Sequence, residues 1–298
     1  MANELFPDVT HHAARLNGIQ QHWVTAGDGP PVYLLHGFPE TWFGWRKQIP
    51  VLAEHFTIVA PDLRGYGSTE KPVGGYDKRT MANDVIALMD HLGHERVALV
   101  GHDRGARVGT RFAKDHADRL DRLVVIDNIP TRIVAQTFDI AKARAGYWYF
   151  PFLGVLDLPE ALITGREDIF LTHFFRTWSS NPQMLSEKEI EVYLTAYRQP
   201  GAVRGFCADY RAGGEDLAQD EKDAHIRIDR PVLSLWGEDF EGVGKAYDVA
   251  EVWRTMASDL RAVPLPQCGH LCQEERPDLV NQELLSFLAS WRPAPNEP

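Results

Sequence analysis

The residues that could do chemistry centre on Gly101-His102-Asp103-Arg104-Gly105. An apolar run, Arg96-Val97-Ala98-Leu99-Val100, leads into them, and a helix-compatible run from Ala106 to Ala113 follows. Strand, Gly-x-nucleophile-x-Gly and helix in that order form a nucleophile elbow, whose glycines let the backbone turn sharply beneath the central side chain. The usual serine is replaced here by Asp103. A carboxylate is already ionised at neutral pH and needs no activating base. On an ester carbonyl it would form an anhydride, a poor route to hydrolysis. On a saturated carbon with a leaving group it forms an ester of the enzyme instead. Halides and strained epoxide oxygens are leaving groups that fit.

Release of that ester needs a base, an acid to orient it, and two N–H donors for the oxyanion on Asp103. Among 12 histidines, His270 is singled out by its place after the last strand-like run. Two aspartates compete for the acid: Asp127, after one strand, and Asp239, after Leu235-Trp236-Gly237-Glu238. The oxyanion donors are expected to be the backbone N–H groups of Arg104 and Phe38.

The elements that must position these groups can be read in outline. Residues 11 to 26 alternate around Asn17-Gly18, a hairpin signal. Short apolar runs at 31–35, 57–60, 96–100, 122–127, 231–237 and 260–265 read as strands. Met81 to Leu92 has helical spacing and ends at Gly93, and Leu279 to Trp291 reads as a closing amphipathic helix. Such alternation predicts an α/β fold with a mostly parallel sheet, whose ligands bind beyond the carboxyl ends of the strands. Residues 130–226 carry many aromatics and no clear strand run, so they read as an inserted helical cap. The expected division is a core in two parts, 1–129 and 227–298, around that cap.

Composition narrows the partners. A net charge of −11 and a pI near 5.5 argue against nucleic acid or an anionic membrane. No run of about 18 apolar residues is present to span a bilayer. Met1-Ala2-Asn3-Glu4-Leu5 does not resemble a secretory signal, and Arg292–Pro298 reads as a frayed end. Cys207, Cys268 and Cys272 make no disulfide framework and fit a reducing cytoplasm. Cys268-Gly269-His270-Leu271-Cys272 lacks the usual zinc spacing, so neither a metal nor any cofactor is expected.

His36-Gly37-Phe38-Pro39-Glu40, Asp62-Leu63-Arg64-Gly65-Tyr66-Gly67 and the elbow together resemble the α/β-hydrolases that include epoxide hydrolases and dehalogenases. Gly-His-Asp-Arg-Gly with Arg107, Asp127-Asn128-Ile129-Pro130-Thr131 and Asp209-Tyr210-Arg211-Ala212-Gly213-Gly214 are similar to fluoroacetate and haloacetate dehalogenases. The resemblance covers nearly the whole chain. It implies the α/β-hydrolase fold and a homodimer. It assigns Asp103 as nucleophile, His270 as base and Asp127 as acid, with Asp239 as runner-up. Arg104 and Arg107 would clamp the carboxylate of a small anionic substrate.

The chain departs from that pattern in the leaving-group pocket. Gly146-Tyr147-Trp148-Tyr149-Phe150 has no histidine where fluoride-releasing members carry a His-Trp pair. One register puts Trp148 and Tyr149 there, the other Tyr149 and Phe150, with Tyr210 as the later pocket residue. Fluoride is small, basic and strongly hydrated, so losing an imidazole donor should hurt C–F cleavage most. The expectation is a haloacetate dehalogenase, better on chloro- and bromoacetate than on fluoroacetate. The alternative is an epoxide hydrolase that protonates the epoxide oxygen with Tyr149 and Tyr210. Arg104 stands against it, since that family usually has an apolar aromatic at this place. A non-catalytic receptor on the same fold is a third reading, disfavoured because nucleophile, acid and base are all intact.

Overall fold

Asn17 and Gly18 both have left-handed backbone, at φ 45° and 79°, and between them they fold the chain back on itself. This turn joins β1 (Thr10–Leu16) to β2 (Ile19–Ala26) in the expected antiparallel hairpin. The computed structural model describes residues 5–289 and residue 291. Residues Met1–Glu4 of the N-terminus and the tail Arg292–Pro298 lie outside them.

Six further strands follow: β3 (Pro31–Leu35), β4 (Thr57–Pro61), β5 (Val97–His102), β6 (Leu120–Ile126), β7 (Val232–Gly237) and β8 (Leu260–Leu265). They lie in the order β1-β2-β4-β3-β5-β6-β7-β8. Every pairing from β4 to β8 is parallel, and only the hairpin and its junction with β4 are antiparallel. Alternation along each strand divides the core between the two faces of the sheet. Tyr33, Leu35, Leu99, Leu123 and Val125 pack on one side. Leu34, Ala98, Val100, Val124 and Ile126 pack on the other.

Between β6 and β7 the described residues form helices and no strand. Tyr149, Phe174, Trp178, Phe206 and Tyr210 of this cap belong to the same apolar cluster as the first face of the sheet. The cap therefore shares a core with the sheet rather than resting on it through a wet interface. No helix among the described residues is long and apolar enough to cross a membrane.

The helix at Lys78–Leu92 starts where Asp77 accepts the Thr80 N–H and stops at Gly93, with φ 73°. The helix at Arg104–Asp115 follows β5 with no intervening loop. That junction is possible only because Gly101 and Gly105 lack side chains. A Cβ on Gly101 would lie 2.6 Å from the Ala106 nitrogen, and one on Gly105 would lie 2.2 Å from the Leu35 carbonyl oxygen. Both obstacles are backbone and cannot rotate away. Gly105→Ala is therefore expected to cost at least about 2 kcal/mol in urea unfolding. An unchanged midpoint would contradict the close approach.

Candidate active site

Asp103 sits at the tip of the β5–helix turn with φ 43° and ψ −108°. Holding a non-glycine residue there costs on the order of 1–3 kcal/mol and persists only when the surroundings fix it. They do: the Asp103 N–H donates to the Ile126 carbonyl at 3.1 Å, and Asn128 Nδ2 donates to the Asp103 carbonyl at 3.2 Å. The turn lifts the carboxylate over the end of the sheet, where the Phe38 N–H donates to Oδ2 at 3.1 Å.

His270 reaches the same place from the loop after β8. Its Nε2 lies 3.9 Å from Asp103 Oδ2 and has no hydrogen-bond partner in the protein. Its Nδ1 is 2.5 Å from Asp127 Oδ2. The other Asp127 oxygen accepts the Gly237 N–H at 3.0 Å. Asp239 is not the partner of His270; it accepts from Ser180 Oγ at 2.8 Å. The imidazole is packed between Trp178 and Phe240, with ring centroids at 4.8 and 4.6 Å. Burial alone would raise the Asp103 carboxyl. His270, His102, Arg104 and Arg107 outweigh it and hold the group below the usual carboxylate range. Asp103 is thus an ionised, partly desolvated nucleophile beside a histidine whose free nitrogen points its way.

A second set of groups behind the elbow is not apparent from sequence. His102 is fully buried, with Nδ1 2.7 Å from Glu40 Oε2 and Nε2 2.9 Å from the His270 carbonyl. Both partners are acceptors, so both ring nitrogens must carry protons and the ring is an imidazolium. Burial opposes that charge, but Glu40 pushes the His102 pKa up to about 9. Glu40 also accepts from Gln273 Nε2 at 2.7 Å. Through these bonds the residue next to the nucleophile holds the backbone of the base. The only sequence signal was a lone acid, Glu40, next to an apolar strand end. Cys268 and Cys272, which flank His270, are buried thiols that both donate to the Gly269 carbonyl.

On the cap side, Tyr149 and Tyr210 are buried and meet edge to face at 5.5 Å. Tyr210 Oη is buried with no partner in the protein. Burial first, then the negative charge of Asp103, keeps the Tyr210 hydroxyl well above the ordinary phenol range. For Tyr149 the causes are burial, Tyr210 and Asp103, in that order. Both are therefore protonated donors near neutral pH. Phe150 completes the group, 4.9 Å from Tyr149 and 5.3 Å from Tyr210. Trp148 lies beside it. Its ring stacks on Phe174 at 5.7 Å and meets Tyr149 edge to face at 6.1 Å, and the residue is 38% exposed.

The two arginines part company. Arg104, expected to clamp an anion, is bound to Asp209: Nε to Oδ2 at 2.8 Å, and Nη2 to Oδ1 at 2.6 Å. That internal carboxylate occupies one edge of the guanidinium, a partner the paired-clamp expectation did not include. Arg107 donates only to Thr131 Oγ1, at 2.6 Å, and its buried Nε has no partner. With Arg104 it borders a cavity of about 260 Å³ lined also by Val134, Phe138, Phe150, Tyr210 and Leu217.

The raised His102 has a consequence for stability. Its contribution is complete below the ordinary histidine value of 6.5 and is lost as pH rises through about 9. Glu40→Gln is therefore expected to cost on the order of 3 kcal/mol at pH 6.5 and much less at pH 10, by thermal or urea unfolding. Equal losses at both pH values would contradict a charged His102.

Comparison with known proteins agrees with this geometry. Residues 30–277 match the family model described as the alpha/beta hydrolase fold. A soluble epoxide hydrolase of Corynebacterium sp. (strain C12) is 39% identical over 96% of this chain and 99% of its own length. A fluoroacetate dehalogenase of Burkholderia sp. is 37% identical over 90% of each. The solved structure of epoxide hydrolase CorEH without ligand superposes with a TM-score of 0.90 at 39% identity, over 96% of this chain and 100% of that one. An elbow carrying an aspartate, its histidine and the matched length lead to one conclusion: the chain belongs to the α/β-hydrolase family and is a hydrolase of its epoxide hydrolase and dehalogenase branch.

Proposed function

We propose that the protein hydrolyses a small epoxide bearing an apolar substituent, through an ester on Asp103. The observation that carries this reading is the Tyr149–Tyr210 pair, two protonated phenols on the cap side of the nucleophile, with Tyr210 Oη unpartnered. A strained C–O bond needs a proton for its departing oxygen; a halide does not. The largely apolar cavity that Tyr210 and Phe150 line adds to this, since it offers an apolar substituent room beside the phenols.

Asp103 forms a C–O bond to a ring carbon, the ring C–O bond breaks, and its electron pair stays on oxygen, which takes a proton from Tyr210 or Tyr149. His270 Nε2 then removes a proton from a water whose oxygen bonds to the Asp103 carboxyl carbon. The Phe38 and Arg104 N–H groups hold the oxyanion, and Asp127 balances the imidazolium. Collapse expels the diol oxygen, which takes the proton from His270. The carboxylic proton left on Asp103 returns the tyrosinate to phenol. Every role falls to a side chain, a backbone N–H or water.

Hydrolysis of a haloacid is the second reading. Arg107 favours it, as a cation with an unpartnered donor four residues after the nucleophile. On that reading chloro- and bromoacetate are turned over faster than fluoroacetate, because the cap lacks an imidazole for fluoride. Diol formation from styrene oxide is measured beside halide release from fluoro-, chloro- and bromoacetate. Epoxide turnover is expected, with Tyr149→Phe and Tyr210→Phe each lowering it by roughly 10- to 100-fold. Halide release that exceeds epoxide turnover, and is lost in Arg107→Ala, would replace the first reading with the second.

A further inference from the structure

The strongest feature left unexplained is the buried charge cluster around Asp209. This carboxylate is fully buried, yet its two oxygens take four donors. Arg104 supplies two, Lys78 Nζ donates to Oδ1 at 2.5 Å, and Tyr66 Oη donates to Oδ2 at 2.6 Å. Arg104 Nη2 also donates to the Asp209 carbonyl at 2.8 Å. Burial works against the charge, but Arg104 and then Lys78 overcome it and hold the carboxyl well below its usual range. The guanidinium centre lies 4.5 Å from the centroid of the Tyr210 ring.

We infer that Arg104 is a positioning residue for Tyr210, fixed in place by Asp209. The inference rests on the reading of Tyr210 as a donor to the departing oxygen. Its warrant is connectivity. The backbone of Arg104 directly follows the nucleophile, and its side chain ends on two consecutive residues of the cap helix Ala202–Arg211. One edge of the planar fork is held bidentately by Asp209, which fixes the plane in orientation as well as place. The face of that plane then supports the Tyr210 ring, as cations prefer. A single rigid group thus sets the cap phenol relative to the sheet-borne carboxylate. A lysine could supply the charge but neither the fork nor the flat face.

This arrangement also decides what kind of substrate the site can hold. Arg104 and Arg107 both border the cavity, but Arg104 turns one edge to Asp209, whereas Arg107 keeps a buried donor with no partner among the described residues. Removing the Arg104 side chain should therefore act on the bond-breaking step and spare binding, while its backbone N–H remains in every variant.

The test is a double-mutant cycle between Arg104→Met and Tyr210→Phe. Alkyl-enzyme formation from styrene oxide is followed by stopped-flow tryptophan fluorescence, and KM is measured alongside. Arg104→Met is expected to slow ring opening by roughly tenfold or more, to change KM by less than about threefold, and to add little in the Tyr210→Phe background. A second readout needs no turnover. The ring resonance of Tyr210 in ¹³C-tyrosine-labelled protein, assigned by its loss in Tyr210→Phe, is expected to shift or broaden in Arg104→Met. Should Arg104→Met fail to fold, Arg104→Lys keeps a cation beside Asp209 and carries both measurements. Fully additive kinetic effects, a rise in KM for carboxylated substrates with ring opening unchanged, or an unmoved Tyr210 resonance would each overturn the inference. If the unsubstituted protein opens no epoxide, the proposed reaction fails on its own, and the resonance still decides the role of Arg104.

Discussion

The site depends on one constraint, the left-handed turn at Asp103. An aspartate at φ 43° is strained, and the strain is sustained because every neighbour is already committed. Gly101 and Gly105 leave no room for an alternative path, and Ile126 and Asn128 hold the Asp103 backbone from the next strand and its loop. The turn in turn sets three other positions. It brings Oδ2 to the Phe38 N–H, starts the helix whose first residue is Arg104, and puts His102 beneath the loop that carries His270.

Around that turn the protein buries charge in clusters. Glu40 pairs with His102, Asp127 with His270, and Asp209 with Arg104 and Lys78, and Gln273, Gly237 and Tyr66 each add a donor to one of these carboxylates. Buried pairs of this kind add little net stability, because desolvation offsets their attraction. Removing one partner is what costs heavily. Their value lies in direction. Each pair joins an element of the sheet end to another element: the Phe38 loop to the elbow, β6 to the β8 loop, and the elbow helix to the cap. Tyr210 Oη keeps no partner among the described residues, while the groups beside it are already bound.

The sheet was legible in the sequence because its strands are short apolar runs ending at glycine, histidine or aspartate. Strand boundaries moved by at most two residues, as at β5, where Gly101 and His102 continue the strand before the turn. The positions of Asp103 and His270 followed from the same logic, since one follows β5 directly and the other lies in the loop after β8. The choice between Asp127 and Asp239 did not, because each follows a strand and only three-dimensional packing tells which one meets His270. The engagement of Arg104 with Asp209 was not legible for a related reason. Its partner lies 105 residues away on a cap helix, and a cation beside a nucleophile looks free until that helix is placed. The cap was legible as helical but not in register, because its aromatics face both the sheet and one another without a single clean period. The choice between Trp148 and Phe150 beside Tyr149 stayed open for that reason.

The most direct measurement of the central claim is the intact mass of His270→Gln after incubation with substrate, followed by peptide mapping. Without the base, the ester on Asp103 should accumulate. Styrene oxide is expected to add its whole mass to the peptide containing Asp103, since ring opening loses no atoms. An adduct elsewhere, or none under conditions where the unsubstituted protein turns the epoxide over, would contradict attack by Asp103.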